Sequence, residues 1–243
     1  MRVAALSDVH GNLAALEAVL EDVDAAGVDV VVSGGDVVAG PFPAEVLALL
    51  RRRSDVRYVR GNADRLVLEG VAEHGQDWAA TRKRLGEDGV AELASWPLTL
   101  VLEVDGLGRV LFCHAVPSAD EPIFTRITPD EEVAELIGGA DAEVVVCGHT
   151  HVQFDRRLPN GTRVVNAGSV GMPYEGRRGA FWALLGPEVE LRHTAYDTES
   201  AVAAIREATG PTHGQLATWL LEPPDPDETT AYFEGVRAQR SGS

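Results

Sequence analysis

The 243-residue sequence predicts an α/β fold in which two β-sheets pack face to face with helices outside. Two features predict it. Up to Arg60, short β-branched runs alternate with amphipathic stretches, the βαβα order that builds a parallel sheet covered by helices. From Leu98 onward, β-type runs follow one another through glycine- and proline-containing turns, as hairpins do. A change of order partway along the chain suits two stacked sheets better than one continuous sheet.

Taken in order, Val3 to Leu6 opens the chain as a strand, and Asn12 caps a helix whose apolar face is Leu13, Leu16, Ala18, Val19, Leu20 and Val23, ended by Gly27. A second strand runs from Val28 to Ser33. A helix follows from about Ala44 to Arg53, with the arginines at 51 to 53 placed where a helix C-terminus favours positive charge. Val56 to Arg60 is the third strand. The stretch from Arg65 to Ser95 reads as two or more helices broken by Gly70, Gly75, Gly86 and Gly89. Leu98 to Val104 and Arg109 to Cys113 flank Asp105-Gly106-Leu107-Gly108 as a hairpin. A helix over Pro129 to Ile137 leads into the strand that starts at Val144.

Val152 to Leu158 and Arg163 to Val165 pair across a Pro159-Asn160-Gly161-Thr162 turn, and Ala180 to Leu185 and Val189 to Thr194 complete the β-rich half. Helices over Ser200 to Ala208, Gly214 to Leu221 and Thr229 to Gln239, separated by Gly210-Pro211 and Pro223-Pro224, close the chain; residues 240–243 are expected to fray. They suit either a cap over a substrate opening or a cover for a sheet edge. One main domain is expected: a core over 1–195 with the helical extension 196–243 packed on it.

Composition narrows the function. A formal charge of −17 opposes long-range attraction to nucleic acid or to an anionic membrane. No apolar run reaches membrane-spanning length, and the N-terminus enters a strand without a secretory apolar segment, which predicts a cytoplasmic protein. Cys113 and Cys147 are too few for a disulfide framework and read as buried thiols in a reducing compartment.

The chemistry lies at the strand ends. Asp8 and His10 follow the first strand, two apart, so that both point the same way if strand geometry persists. Asp36 follows Gly34-Gly35 after the second strand and Asn62 follows Gly61 after the third; His114 directly follows Cys113. Val144-Val145-Val146-Cys147-Gly148 then presents His149 and His151 from one loop. Any one of these histidines alone fits a core or a surface. Together the seven are too many for one ion and suit two first-row ions about 3.5–4 Å apart, with a carboxylate bridging them. Four imidazoles favour Mn, Fe, Co, Ni or Zn over Mg or Ca.

The ordered set Asp8-x-His10, Gly35-Asp36, Gly61-Asn62, His114 and Gly148-His149-x-His151 resembles the calcineurin-like metallophosphoesterases. Ser7-Asp8-Val9-His10-Gly11-Asn12 and Asn166-Ala167-Gly168-Ser169 look like the small bacterial and archaeal phosphodiesterase branch. The resemblance implies a four-layer αββα sandwich of two mixed sheets to about residue 195. It also implies two divalent transition-metal ions, manganese first among them. Asp8, His10 and His151 would hold one ion, Asn62, His114 and His149 the other, and Asp36 would bridge; Asp36, Asn62 and His114 would serve catalysis. Asp64 keeps the family's acidic residue as a hydrogen-bond acceptor behind the ligands.

One departure stands out. The better-known enzymes carry a histidine after the asparagine, placed to stabilise the phosphate or protonate the leaving group; here that position is Ala63, which can do neither. The implied activity is hydrolysis of a phosphate ester, foremost a diester, by a metal-bound hydroxide, with both ions and the backbone near Gly148 neutralising charge on phosphoryl oxygens. The substrate would be a small phosphate ester or nucleotide. Alternatives of the same fold are a dinucleoside polyphosphate hydrolase and a protein phosphatase; outside enzymes, the alternative is a metal-binding scaffold with little turnover. Arg177 and Arg178, after the 168–173 loop, are candidates to hold a distal phosphate.

Overall fold

A computed structural model describes residues 1–70, 72, 73, 76–210 and 212–241. Gly75 and Pro211, two of the expected breaks, and the last two residues of the expected frayed end lie outside the described residues. One five-stranded sheet joins β1 (Val3–Leu6), β2 (Val30–Ser33) and β3 (Val56–Tyr58) to two strands from late in the chain. Between them run the helices α1 (Leu13–Ala26), α2 (Pro43–Arg51) and α3 (Asn62–Glu69). A two-strand ribbon, β4 (Ala72–Glu73) and β5 (Gln76–Asp77), precedes α4 (Trp78–Ser95).

The second sheet is built from β6 (Thr99–Val104), β7 (Gly108–Cys113), then, after α5 (Asp130–Leu136), β8 (Val144–Cys147), β9 (Phe154–Arg157) and β10 (Arg163–Asn166), in the order β6-β7-β8-β10-β9. The chain then returns to the first sheet as β11 (Ala180–Leu185) and β12 (Val189–Thr194), giving β12-β11-β1-β2-β3. Both sheets are mixed: β1 is parallel to β2 and antiparallel to β11, while β8 is parallel to β7 and β10. The helices α6 (Thr198–Thr209), α7 (Gly214–Leu221) and α8 (Pro226–Ser241) end the chain.

Alternation along the strands divides the apolar residues between layers. Val3, Ala5 and Val32 of the first sheet meet Val110, Phe112, Val144, Val146 and Val165 of the second in a core between the sheets. The intervening residues of β1, Ala4 and Leu6, face α1 and α2 with Leu16, Val19 and Leu47. Leu111, Cys113, Val145 and Cys147 face α5, whose Val133 covers them together with Ile137 just past its end. The result is the expected four-layer αββα sandwich. Burial holds the Cys113 thiol up at about 12, so both cysteines serve packing.

Several boundaries depart from expectation for local reasons. Gly70 ends α3 in a left-handed conformation and Gly86, with φ 69°, interrupts α4, as expected. Gly89 does not break the helix: a Cβ there would meet Leu85 at 3.1 Å and Leu47 at 3.5 Å, so its role is close approach of α4 to α2. Asn62 is the first residue of α3 and not part of a free loop. Among the described residues no helix is long and apolar enough to cross a membrane.

Candidate metal centre

Asp8 and His10 leave β1, but strand geometry does not persist through them. Both adopt positive φ, 55° and 46°, and so do Asp36, His149 and His151. These five are all the non-glycine residues with positive φ among those described. Each costs on the order of 1–3 kcal/mol and persists only where surrounding bonds impose it. The bonds are identifiable: Asp8 and His10 donate their N–H to the Gly35 and Asp36 carbonyls, Gly171 N–H donates to the Asp8 carbonyl, and Ser169 Oγ donates to it at 2.8 Å. Strain confined to five predicted ligands marks the loops as shaped for the cluster and not for packing.

Two close approaches need glycine. A Cβ at Gly148 would lie 2.3 Å from Asp8 Oδ2, and one at Gly61 would lie 2.2 Å from Asp36 Oδ1. The freed space lets His149 N–H reach Asp8 Oδ2 at 3.0 Å and Ala63 N–H reach Asp36 Oδ1 at 2.8 Å. Each carboxylate thus has one oxygen held by backbone and the other turned toward the histidines. Asp64, fully buried, accepts from Val37, Val38 and Gly61 at 2.9, 3.3 and 3.1 Å and so ties the Asp36 loop to the Asn62 helix. Burial, together with the Asp36 charge, raises its pKa to about 7.

The imidazoles are oriented by main-chain acceptors. Nδ1 of His10, His114 and His151 faces the carbonyls of Ala39, Gly34 and Met172 at 3.3, 3.0 and 2.7 Å. A carbonyl only accepts, so each Nδ1 carries the hydrogen and, on a neutral ring, Nε2 carries the lone pair. Those Nε2 atoms converge. His10 Nε2 and His151 Nε2 are 3.2 Å apart, and Asp8 Oδ1 lies 3.0 Å from His151, 3.8 Å from His10 and 3.9 Å from His114. Asp36 Oδ2 lies 3.4 Å from His114 and 3.8 Å from His10, between the two halves of the cluster. Asn62 Oδ1 lies 3.0 Å from His114 Nε2.

Lone pairs aimed at one another in a buried site call for a cation. Asp8 Oδ1 is buried without a hydrogen-bond donor, a cost of about 1–3 kcal/mol if nothing else offsets it. Two groups meet the spacing for an ion, Asp8-His10-His151 and Asp8-Asp36-His114. The donor set therefore fits divalent ions, with Asp8 common to both groups and Asp36 between them. Burial opposes ionisation of Asp36, yet His114 and His10 hold its pKa down at about 2; burial likewise opposes charging His114, yet Asp36 and Asp8 raise it to about 10. A proton on His114 Nε2 and a cation compete for one position.

His149 stands apart from that group. Its ring lies edge-on to His114 with centroids 5.1 Å apart, and its Nε2 faces the Glu121 carbonyl at 3.2 Å, so that Nδ1 is the nitrogen not turned to that carbonyl. His149 and Asn62 are half-buried while the other five are buried, so the open side of the cluster is theirs. A cavity of about 700 Å³ lies between the 116–123 segment, α5 and the end of α8; it includes Glu121, whose carbonyl meets His149, and no residue of the cluster lines it.

Three expectations change. Gly148 N–H donates to the His114 carbonyl and His149 N–H to Asp8, so the backbone there is already used and is not free to neutralise a phosphoryl oxygen. Arg178 donates to the Leu221 carbonyl and pairs with Glu199 at 2.9 Å, and Arg177 lies over the Phe181 ring at 4.9 Å. Both arginines anchor the 174–181 segment, and none of these contacts involves a cluster residue. Sequence reasoning passed over the orienting carbonyls, which carry no residue-type signal.

Comparison with known proteins agrees with the geometry. An uncharacterized protein of Methanocaldococcus jannaschii, MJ0912, is 28% identical over 244 residues, covering 90% of this chain and 96% of its own. A metallophosphoesterase structure from Sphaerobacter thermophilus is 29% identical with a TM-score of 0.74, covering 91% and 98% of the two chains. The hypothetical protein PH1004 of Pyrococcus horikoshii shares the fold at TM-score 0.76 and 20% identity, over 92% and 99%. Residues 1–185 match the family model of the calcineurin-like phosphoesterase superfamily domain, and the chain belongs to that family.

Proposed function

We propose that this phosphoesterase is a dinuclear, transition-metal-dependent phosphodiesterase. The observation that carries the reading is the convergence of three imidazole lone pairs on two carboxylates in two overlapping groups. Two divalent cations, when bound, supply Lewis acidity toward the phosphoryl oxygens and activate water as the nucleophile. The chain's own part is to fix that arrangement. Asp8, His10 and His151 hold one ion; Asn62, His114 and His149 hold the other; Asp36 stands between. The imidazole character of the set favours manganese, iron, cobalt, nickel or zinc.

The cavity that includes Glu121, whose carbonyl meets His149, has room for substrate bulk beyond the reacting phosphate. At about 700 Å³ it falls within the usual range of about 300–1,000 Å³ for small-molecule sites. Its lining sets Val116, Ile123 and Leu136 beside Asp120, Glu121, Glu132 and Glu135, with Arg237 held by Glu132 and Glu234 and Arg240 on the Glu121 carbonyl, so it offers room without an excess of positive charge. The test is metal analysis of the purified protein, then hydrolysis of a panel of phosphate mono- and diesters after reconstitution. Uptake of two ions with turnover of diesters is expected; metal uptake without turnover of any ester would make the protein a binding scaffold instead.

A further inference from the structure

The two ligands on the open side of the cluster, Asn62 and His149, come from different sheets, and one guanidinium ties together the segments beside them. Arg65 stands on α3 one turn after Asn62. Its Nε donates to Asp120 Oδ2 at 3.0 Å and its Nη2 to Asp120 Oδ1 at 3.2 Å, a fork on a buried carboxylate. Nη2 also lies 3.0 Å from Glu121 Oε1, and Nη1 donates to Glu69 at 3.1 Å. The Glu121 carbonyl accepts from His149 Nε2 at 3.2 Å and, more weakly, from Arg240 Nη1 at 3.4 Å.

The segment so held has little slack. It leaves His114, closes a tight turn through reciprocal backbone bonds between Val116 and Ala119, and reaches Asp120 at once. Displacing Asp120 would carry the Glu121 carbonyl away from His149. We propose that Arg65 is a positioning residue for the second ion: through Asp120 it holds the Glu121 carbonyl against His149 Nε2, so that the ring offers Nδ1 to the site shared by Asn62 and His114. The inference rests on the dinuclear reading above.

An ordinary surface ion pair contributes about 0–1 kcal/mol and would leave metal binding alone. This pair differs in having a buried acceptor and two parallel bonds, which fix direction as well as distance. Lysine could supply the charge without the fork. Groups that orient a ligand imidazole through its other nitrogen are typically worth about 10–100-fold in metal affinity.

The test is calorimetric titration of metal-depleted full-length protein with Mn²⁺, paired with the visible spectrum of the Co²⁺-loaded form and thermal unfolding in EDTA. Wild type is expected to take up two ions. Arg65→Ala should keep the tighter ion at unchanged affinity and weaken the other about 10–100-fold, with an altered Co²⁺ spectrum and little change in unfolding temperature. Asp120→Asn should do the same, and Arg65→Lys, which retains charge, should fall between. Wild-type affinity for both ions in Arg65→Ala, or equal weakening of both with a lowered unfolding temperature, overturns the proposal. A wild type that takes up fewer than two ions overturns the dinuclear reading and this inference with it, a result distinguishable from either.

Discussion

The ring of Tyr174 lies against the imidazole of His151, centroids 4.8 Å apart and planes 21° from parallel. On its other sides Tyr174 meets Trp219 of α7 edge-on at 5.3 Å and Phe233 of α8 at 6.4 Å. The backbone repeats the connection, since Tyr174 N–H donates to the His151 carbonyl while Met172, two residues earlier, accepts from His151 Nδ1. Met172 and Phe42 also pack on Val202, Ile205, Leu216 and Leu220 of the terminal helices. These helices therefore brace a candidate metal ligand, His151. Removing the stack with Tyr174→Ala should weaken the ion held by Asp8, His10 and His151 by roughly 2–10-fold, the equivalent of about 0.5–1.5 kcal/mol. Tyr174→Phe keeps the ring and should bind as wild type. Manganese titration of both variants checks it, and equal loss in the two would assign the effect to the hydroxyl.

Asp36 is the carboxylate whose loss should reach both halves of the cluster, because its Oδ2 lies within 4 Å of both His10 and His114. In Asp36→Asn the bond from Ala63 N–H to the side-chain oxygen can survive, so the fold should persist. The charge between the ions would be gone. Metal content should fall well below two per chain and turnover by at least about 10–100-fold. Elemental analysis beside a folded circular dichroism spectrum checks it.

The candidate ligands could be listed from the sequence because each follows an apolar strand, and strand ends at one edge of a sheet come together whatever the loops between them do. Asp8, Asp36, Asn62, His114, His149 and His151 all needed only that topology. Reading Asp8 and His10 as a continued strand failed for a physical reason: the turn imposed by the Gly35, Asp36 and Gly171 backbone bonds reverses φ at both, and no residue-type signal announces it. Arg177 and Arg178 illustrate the opposite limit. Nearness in sequence to a site loop says nothing of direction, and Glu199 with the α7 C-terminal carbonyl of Leu221 claims Arg178.

Attachment of α8 should weaken in acid. Glu234 accepts from Thr125 at 2.7 Å, from Thr128 and from Arg237, and although burial opposes its charge these bonds hold its pKa below the usual 4.5. A depressed carboxylate contributes stability that is present above the unfolded value and is lost as pH falls through the folded one. Glu234→Gln should therefore destabilise the protein at pH 6 to 7, and the difference from wild type should shrink below about pH 4.5. Urea unfolding of both proteins across that range measures it; a gap that widens in acid would contradict the assignment.

Ala63 leads to a kinetic prediction. Its side chain is buried in the core between the first sheet and its helices, and its N–H is given to Asp36, so this position donates no proton to a departing group. General acid assistance is worth about 10²–10⁴-fold where it exists. Without it, an alkoxide must leave as a poorly stabilised anion, whereas aryl oxides and phosphoanhydrides leave as stable ones. The wild type should show a steep fall in kcat/KM with rising leaving-group pKa across a series of aryl and alkyl phosphodiesters, with alkyl members lowest. Ala63→His should flatten that dependence only if the ring can turn out of the core toward the reacting phosphate, which the burial of Ala63 opposes. A shallow dependence in the wild type would mean that another residue protonates the leaving oxygen, and Tyr174, already against His151 and with its hydroxyl pKa raised by burial and by the Asp8 charge, would be the first to replace with Phe. If Tyr174→Phe then steepened the slope at unchanged metal content, the phenol would be that acid; an unchanged slope would remove it from consideration.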